Sequence, residues 1–308
     1  MTFEQLLPIL ASTVAAATPL VIAALGVLVS ERAGVLNLGV EGMMLIGAVT
    51  AFAVGISTDS LLLGYIAAIA AGAAVALLFA VLTLSLQTNQ VATGLALALF
   101  GIGLSAFLGQ SFVGTPIDRL PALDIPLLSD LPFLGPLLFR YDAIVYVSLL
   151  LYLGVSWFLY RSRLGLRLRA IGEAPTVAHS LGEPVIRIRY IATLFGGAMS
   201  GLAGAYLSTA LTPMWVEGMS AGRGWIVLAL VVFATWRPLR VLLGAYLFGG
   251  VTVLQLHAQG SGVTVPSEFL SMLPYLATIV VLVLICRDPK AILLNQPASL
   301  GRSFHPDA

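Results

Sequence analysis

Residues 31–47 read Glu-Arg-Ala-Gly-Val-Leu-Asn-Leu-Gly-Val-Glu-Gly-Met-Met-Leu-Ile-Gly, and they lie between two long apolar runs. They place a carboxylate, Glu41, where a membrane helix is expected. A charge in the centre of such a helix costs about 2.5–3.5 kcal/mol on insertion scales, so charged residues there face a cavity or a partner. Glycines at positions 34, 39, 42 and 47 permit close backbone approach or a local break in the helix. The stretch therefore predicts a polar site inside a membrane domain.

The composition is that of an integral membrane protein. Of the 308 residues, 59% are hydrophobic and 9% are charged, and the mean hydropathy is +1.02. A soluble domain has about 45–50% apolar and about 25% charged residues. The net charge of +1 gives no electrostatic reason to bind nucleic acid. The single cysteine, Cys286, excludes a disulfide within the chain.

Nine apolar runs approach the length of about 17–25 residues that a membrane-spanning helix needs. They fall at 6–30, 34–56, 61–86, 91–109, 142–160, 188–211, 224–236, 239–258 and 268–286. The sequence thus predicts an all-α fold, a polytopic transmembrane helix bundle of about nine spans (eight to ten). We expect residues 1–308 to form a single transmembrane domain.

The distribution of Arg and Lys predicts the orientation. The segments 31–33, 87–90, 161–190, 237–240 and 287–308 carry twelve of these residues, whereas the other connections carry three. Cytoplasmic loops are enriched in Arg and Lys, so the N-terminus is predicted outside and the C-terminus in the cytoplasm. Residues 110–141 then form an external loop and residues 161–187 the largest cytoplasmic loop. The polar tail, residues 295–308, is predicted to be disordered.

The cytoplasmic loop contains a candidate docking helix from Glu173 to Leu181. Pro175 suits the first turn of a helix, and Gly182 stands where a glycine commonly ends one. The carboxylate of Glu173 near the helix N-terminus complements the helix dipole. A short amphipathic helix between two spans suits a groove on another protein. An ordinary basic loop is the alternative that these residues leave open.

The same loop resembles the coupling segment of ATP-binding-cassette (ABC) importer permeases of the branched-chain amino acid, ribose and nucleoside superfamily. The segment 169–182 matches the pattern R-A-x-G-E-x-P-x-A-A…G of that superfamily through Arg169, Gly172, Glu173, Pro175, Ala178 and Gly182. Residues 198–205 resemble its small-residue helix. Residues 37–47, 222–230 and 236–238 resemble the nucleoside branch most closely. The likeness covers about residues 10 to 290, and it departs from the pattern at His179 and at Glu183-Pro184.

The resemblance implies a permease that forms half of a pore in the cytoplasmic membrane of a bacterium or archaeon. It implies pairing with a second, different permease subunit, docking of cytoplasmic ATPase subunits, and delivery of substrate by an external substrate-binding lipoprotein. The implied substrate is a nucleoside, with a simple sugar or a branched-chain amino acid as the alternative. The chain has no Gly-x-x-x-x-Gly-Lys-Ser/Thr motif, so we expect ATP and Mg²⁺ to bind the partner ATPase. We expect no enzymatic activity and no cofactor on this chain.

Four polar residues are candidates for the substrate pathway: Asn37, Glu41, Asn89 and Gln90. Asn37 and Glu41 are four residues apart and would share one face of a helix, where they could bind ribose hydroxyls or a base edge. The alternative is structural, with the first pair satisfying a neighbouring helix and the second capping a cytoplasmic helix end. Five glycines are candidates for close helix packing: Gly39, Gly42, Gly197, Gly201 and Gly204.

Two rival functions require consideration. An ion-coupled transporter with Glu41 as its ion site would be expected to show a repeat between its halves, and none is apparent. Ser220 lies in a Gly-x-Ser-x-Gly run and could form a Ser–His dyad with His257, but no strand precedes it as a hydrolase elbow requires. His179 and His305 have no metal-ligating company in the sequence, so no metal site is expected.

Overall fold

The computed structural model describes residues 3–123, 134–260, 266, 269–270, 272–286 and 295–305. Within these residues the chain forms twelve α-helices: α1 Phe3–Arg32, α2 Val40–Thr58, α3 Leu61–Ala80, α4 Gln90–Gly109, α5 Leu134–Leu138, α6 Ala143–Arg161, α7 Arg163–Glu173, α8 Pro175–Ser180, α9 Val185–Tyr206, α10 Arg223–Phe233, α11 Pro238–Gly260 and α12 Leu273–Cys286. Single π-turns, Val81–Ser85 and Leu207–Leu211, extend α3 and α9. No strand occurs in the described parts of the chain, which contain only three isolated β-bridges.

Seven of the described helices are long and apolar enough to cross a membrane. They are Leu7–Arg32, Val40–Thr58, Leu61–Ser85, Gln90–Phe112, Ala143–Arg161, Val185–Leu211 and Pro238–Gly260. The runs predicted at 224–236 and 268–286 contain shorter helices, α10 with 11 residues and α12 with 14. The helical membrane architecture is confirmed, whereas nine full spans and the orientation of the termini remain predictions.

Helices α1, α2 and α9 form the centre of the bundle. Helix α9 packs against α1, α2 and α3, and α11 packs along α1. Most residues of α1, α2 and α9 are buried, whereas α4, α6 and α11 expose many apolar side chains. This pattern is expected when the peripheral helices face lipid, because lipid solvates apolar side chains.

Glycines bring the central helices into backbone contact. A Cβ atom on Gly47 of α2 would overlap the backbone of Gly201 on α9, and one on Gly204 would overlap the carbonyl of Met44. Gly197 meets Gly72 of α3 in the same way. Small residues at helix crossings allow this approach, which increases van der Waals contact where lipid supplies no hydrophobic drive.

The C-terminal segment corrects the prediction of a disordered tail. Residues 295–305 lie against the ends of α7 and α9, and Ser299 and Phe304 are buried. The Ser299 amide donates to the carbonyl of Gly172 at 3.0 Å, and the amide of Gly301 donates to the carbonyl of Gly34 at 3.2 Å. These contacts hold a polar stretch in place, which composition alone does not indicate. Residues 306–308 of the predicted tail lie outside the described residues.

The predicted external loop, 110–141, is described except for residues 124–133. Its first part packs against the segment that follows α9. The amide of Ile117 donates to the carbonyl of Pro213, and that of Leu120 donates to the carbonyl of Thr209. Asp59 and Asp118 line one polar cavity at this end of the bundle, opposite the end that holds Arg32 and the C-terminal segment. We call the latter end the arginine-rich face.

Candidate functional site

A non-helical segment, residues 33–39, separates α1 from α2 and forms one wall of the candidate site. Gly34 has φ of +88°, a conformation that glycine adopts without strain. The side-chain oxygen of Asn37 accepts a hydrogen bond from the amide of Gly39 at 2.8 Å. Because this local turn delays the start of α2 to Val40, Asn37 is not on the helix. The prediction that Asn37 and Glu41 share one helix face is therefore wrong.

Glu41 is buried and bonded through both of its carboxylate oxygens. Oε1 accepts from the hydroxyl of Ser220 at 2.5 Å and from the amide of Gly222 at 2.9 Å. Oε2 accepts from the amide of Gly224 at 2.6 Å. These donors lie at the N-terminus of α10 and in the turn just before it, and the N-cap residue Gly222 has no side chain to offer. The carboxylate of Glu41 thus caps a short helix that follows it by about 180 residues, and an anion suits the positive end of the helix dipole.

Asn89 and Gln90 have different environments although they are neighbours. Asn89 is exposed and caps α4, where its Oδ1 accepts from the amide of Ala92 at 3.0 Å. Gln90 is buried, and its Oε1 accepts from the amide of Leu36 at 2.8 Å. The Nε2 atom of Gln90 is buried without a partner among the described residues. Gln90 therefore fixes segment 33–39 to α4 and leaves one donor unused.

Three of the four candidates for the substrate pathway are thus distributed over two clusters. Asn37 and Gln90 both bond to segment 33–39, whereas Glu41 bonds to the turn before α10, and Asn89 belongs to neither cluster. Two of the glycine candidates, Gly39 and Gly42, pack against α4, whereas Gly197, Gly201 and Gly204 pack between α9 and helices α2 and α3. Gly39 lies against α4, and a Cβ atom on Gly42 would overlap the backbone of Leu97 and Ala98.

Ser220 has no catalytic arrangement. Its buried hydroxyl donates to Glu41, so its single hydrogen is not directed at a histidine. The Gly218–Gly222 run forms a turn that leads into α10, and no strand precedes it in this described part of the chain. The described residues also hold no group of three metal-ligating side chains.

Sequence reasoning missed a second polar link at the arginine-rich face. The turn between α10 and α11 contains Thr235 and Trp236, both with positive φ. The indole of Trp236 donates to the carboxylate of Glu31 at 2.5 Å, and the guanidinium of Arg32 donates twice to the Trp236 carbonyl. Glu31 and Arg32 begin the stretch 31–47 with which the sequence analysis starts. Trp236 begins the segment 236–238, which resembles the nucleoside branch of the permease superfamily. The adjacent charges were the available signal, but their partner lies more than 200 residues away.

The predicted docking helix is present as α8, Pro175–Ser180, which is shorter than expected. Pro175 occupies its first turn, and Gly182 follows with φ of +84°. The amide of Glu183 donates to the carbonyl of Ala178, and the amide of Gly182 donates to the carbonyl of His179, which is the glycine-terminated helix end that the sequence predicts. Glu173 ends α7 instead of beginning α8.

Helix α8 has an inner and an outer face. Ala178 faces inward and belongs to an apolar cluster with Ile171, Val185 and Phe304. Val177 and Leu181 are 57% and 79% exposed, so the outer face presents apolar side chains away from the bundle. A helix that is anchored on one side and apolar on the other has the arrangement of a docking element.

The other two residues of the predicted coupling motif, Gly172 and Arg169, pack against α1 and α6. Gly172 packs on the carbonyl of Arg32, where a Cβ atom would overlap it, and its own carbonyl accepts from the hydroxyl of Ser299 at 2.6 Å. Arg169 faces α6, with its guanidinium 5.3 Å from the ring centroid of Tyr160. The motif therefore connects α8 to the end of α1 and to the C-terminal segment.

Comparisons with known proteins agree with this architecture. Residues 9–285 match the family described as the permease component of the branched-chain amino acid transport system. The chain belongs to this ABC transporter permease family. The permease is 44% identical to a putative glucose ABC transporter permease of Haloferax volcanii, over 96% of this chain and 97% of the relative. It is 32% identical to a guanosine ABC transporter permease of Bacillus subtilis, with 92% and 93% covered. It is also 32% identical to a nucleoside ABC transporter permease of Lactococcus lactis subsp. cremoris, with 90% and 91% covered.

The family assignment confirms the resemblance found in the sequence. The permease is a membrane-embedded transport component and its relatives are permease subunits, not enzymes. Membership of the family also implies ATPase and substrate-binding partners. The names of these relatives divide between a sugar and nucleosides.

Proposed function

We propose that the permease is the membrane subunit of an ABC importer that moves nucleosides across the cytoplasmic membrane. Its match to the family over residues 9–285 carries the proposal, and the 32% identity to guanosine and nucleoside permeases supports the substrate. A glucose-type sugar is the second candidate, because the relative at 44% identity is a putative glucose permease. Both substrates are neutral and rich in hydroxyl groups, so neither needs a charged residue for recognition.

The ATPase docks, in this proposal, on the outer face of α8. The exposed Val177 and Leu181 offer apolar contact, and the exposed Glu173 offers a negative charge beside them. Movement of the ATPase would reach the site through two contacts. Gly172 rests on the carbonyl of Arg32, and Ser299 joins Gly172 to Arg189 of α9. The substrate pathway would then change shape at segment 33–39, which connects Arg32 at the end of α1 to Glu41 on α2.

The permease pairs, in this proposal, with a second, different permease subunit to complete the pore. A substrate-binding lipoprotein delivers the nucleoside at the end that holds Asp59 and Asp118. ATP and Mg²⁺ bind the ATPase subunits. The family assignment favours ATP-driven import over the ion-coupled alternative, for which the bonded Glu41 carboxylate offers no free ligand oxygen pair.

Uptake of labelled guanosine tests the substrate. Cells with and without the gene are compared, and the deletion is complemented with the wild-type chain or with Glu173→Arg. Loss of guanosine uptake on deletion, competed by other nucleosides and not by glucose, is the expected result. If glucose uptake is lost and guanosine uptake is unchanged, the ABC permease function stands and the substrate is a sugar. Unchanged uptake of both would contradict both candidates.

A further inference from the structure

A cavity at the arginine-rich face has no role in the function proposed above. It has a volume of about 790 Å³ and lies between the last turns of α6, helix α7 and the start of α11. We call it the basic cavity, and its lining residues are Arg32, Tyr152, Ser156, Tyr160, Leu166, Arg169, Ala170, Glu173, Arg237, Pro238, Leu239 and Asn295.

Among the described residues, the positive charges that line the basic cavity outnumber the negative ones. Three guanidinium groups line it against one carboxylate, that of Glu173. The only ion pair among the described residues, Arg167–Glu183, lies elsewhere. Arg32 donates to the carbonyl oxygens of Trp236 and Asn295, which are neutral acceptors. Clustered guanidinium groups without carboxylate partners favour an anion.

Two buried donors on residues that line this cavity have no acceptor among the described residues. The described residues contain four buried side-chain polar atoms without a hydrogen-bond partner, and two of them, Arg169 Nε and Ser156 Oγ, belong to residues that line the basic cavity. Buried donors are almost always satisfied, so an unpaired donor calls for an acceptor beyond those that the described residues supply. A phosphate oxygen would meet both the charge and the missing acceptors.

The surroundings of the basic cavity indicate where the phosphate comes from. Leu166 and Leu239 line it and are 59% and 57% exposed, and the neighbouring Trp157 and Leu243 expose apolar surface on α6 and α11. A ligand in this place meets guanidinium groups at one end and lipid-facing apolar surface at the other. Basic pockets between membrane helices on the cytoplasmic side are suited to anionic lipid headgroups.

We infer that the basic cavity binds a phosphate group, supplied by the headgroup of an anionic phospholipid whose acyl chains lie along α6 and α11. Arg169 and Arg237 contact the phosphate, and Ser156 donates one hydrogen bond. Since α7 connects the cavity to α8, the lipid holds α7 against α6 and so sets the position of the docking helix.

Lipid binding to the intact transporter tests this inference. The complex, carrying the wild-type chain or Arg169→Gln, is purified in an uncharged detergent and titrated with fluorescent phosphatidylglycerol or phosphatidylcholine. We expect saturable binding of phosphatidylglycerol to the wild type and binding at least about tenfold weaker in Arg169→Gln, because a charged hydrogen bond is lost. Arg240→Gln is the matched control, because Arg240 lies at the start of α11 outside the cavity and should leave binding unchanged.

Four outcomes show whether the phosphate belongs to a lipid or to a soluble anion, and whether the cavity is a specific site at all. Displacement of phosphatidylglycerol by millimolar inorganic phosphate would keep the phosphate site and assign it to a soluble anion. If Arg169→Gln and Arg240→Gln weaken phosphatidylglycerol binding equally, the inference is overturned, because binding would then depend only on the general surface charge. Unchanged binding in Arg169→Gln would also overturn it. If Arg169→Gln yields no intact complex, Arg237→Gln, at an exposed position, is tested instead. If Arg237→Gln then binds phosphatidylglycerol as tightly as Arg240→Gln does, the site is refuted.

Discussion

Replacement of Glu41 by Gln removes the charge from the cap of α10 and keeps the shape of the side chain. Whichever way the amide is turned, its NH₂ group faces a donor, either the amide of Gly224 or the amide of Gly222 with the hydroxyl of Ser220. At least one buried N–H group is then left without an acceptor, which costs about 1–3 kcal/mol. The lost interaction with the helix dipole adds about 1 kcal/mol.

The expected destabilisation is thus about 2–4 kcal/mol. Thermal unfolding of the detergent-solubilised permease measures it, and a fall in the midpoint of about 4 °C or more is expected. Uptake should fall in parallel, because α10 would no longer be held beside α2. Asn89→Ala is the matched control, since it removes an exposed helix cap that water can replace and should cost about 1 kcal/mol or less.

The opposite pattern would refute this reasoning. If Glu41→Gln unfolds at the wild-type temperature and assembles normally while uptake is lost, the carboxylate acts on the substrate and its role as a cap is secondary. A wild-type midpoint together with wild-type uptake would show that the three hydrogen bonds contribute nothing measurable.

Three further predictions concern packing and coupling. Gly101→Ala should destabilise the permease because its Cβ atom would overlap the backbone of Gly42, whereas Gly103→Ala, two residues along α4 with open space, should be neutral or stabilising by up to about 1 kcal/mol in thermal unfolding. Glu173→Arg should reduce co-purification of the ATPase and uptake, and normal values of both would contradict the docking proposal. Phe304→Ala should lower the free energy of unfolding by about 3–5 kcal/mol, because Phe304 packs beneath Ala178 of α8, and it should therefore weaken ATPase binding. His305→Ala, at an exposed position, should change neither.

The local features of this fold were predictable from the sequence, because the residues that determine them are close together. Apolar runs predicted the positions of the membrane helices, and Gly182 predicted the C-terminal end of α8, whereas its predicted start at Glu173 was two residues early. Short-range sterics and hydrogen bonding fix such elements. The number of full spans was less predictable, because the run at 224–236 contains a helix of only 11 residues that begins at a turn capped from another part of the chain.

The partners of the polar residues could not be predicted, because they come from distant segments. Nothing near Glu41 indicates that its carboxylate bonds to residues 220–224, and nothing in the polar composition of 295–305 indicates that Ser299 meets Arg189. Asn37 shows a related error. Its spacing from Glu41 suits a helix. However, its side chain accepts a hydrogen bond from the amide of Gly39, and α2 begins only at Val40, so Asn37 lies in the turn before the helix.

The buried guanidinium of Arg189 has a consequence for the order of biosynthesis. It donates to the carbonyl of Ala33, to the hydroxyl of Ser299 and to the carbonyl of Arg302. The last two partners follow it by 110 and 113 residues, which corresponds to on the order of 10 s of translation. During that interval Arg189 retains water or incomplete bonding, so α9 reaches its final position only after residues 299–302 have left the ribosome. The membrane helices can therefore be inserted one by one, but the arginine-rich face closes as a late, post-insertional step.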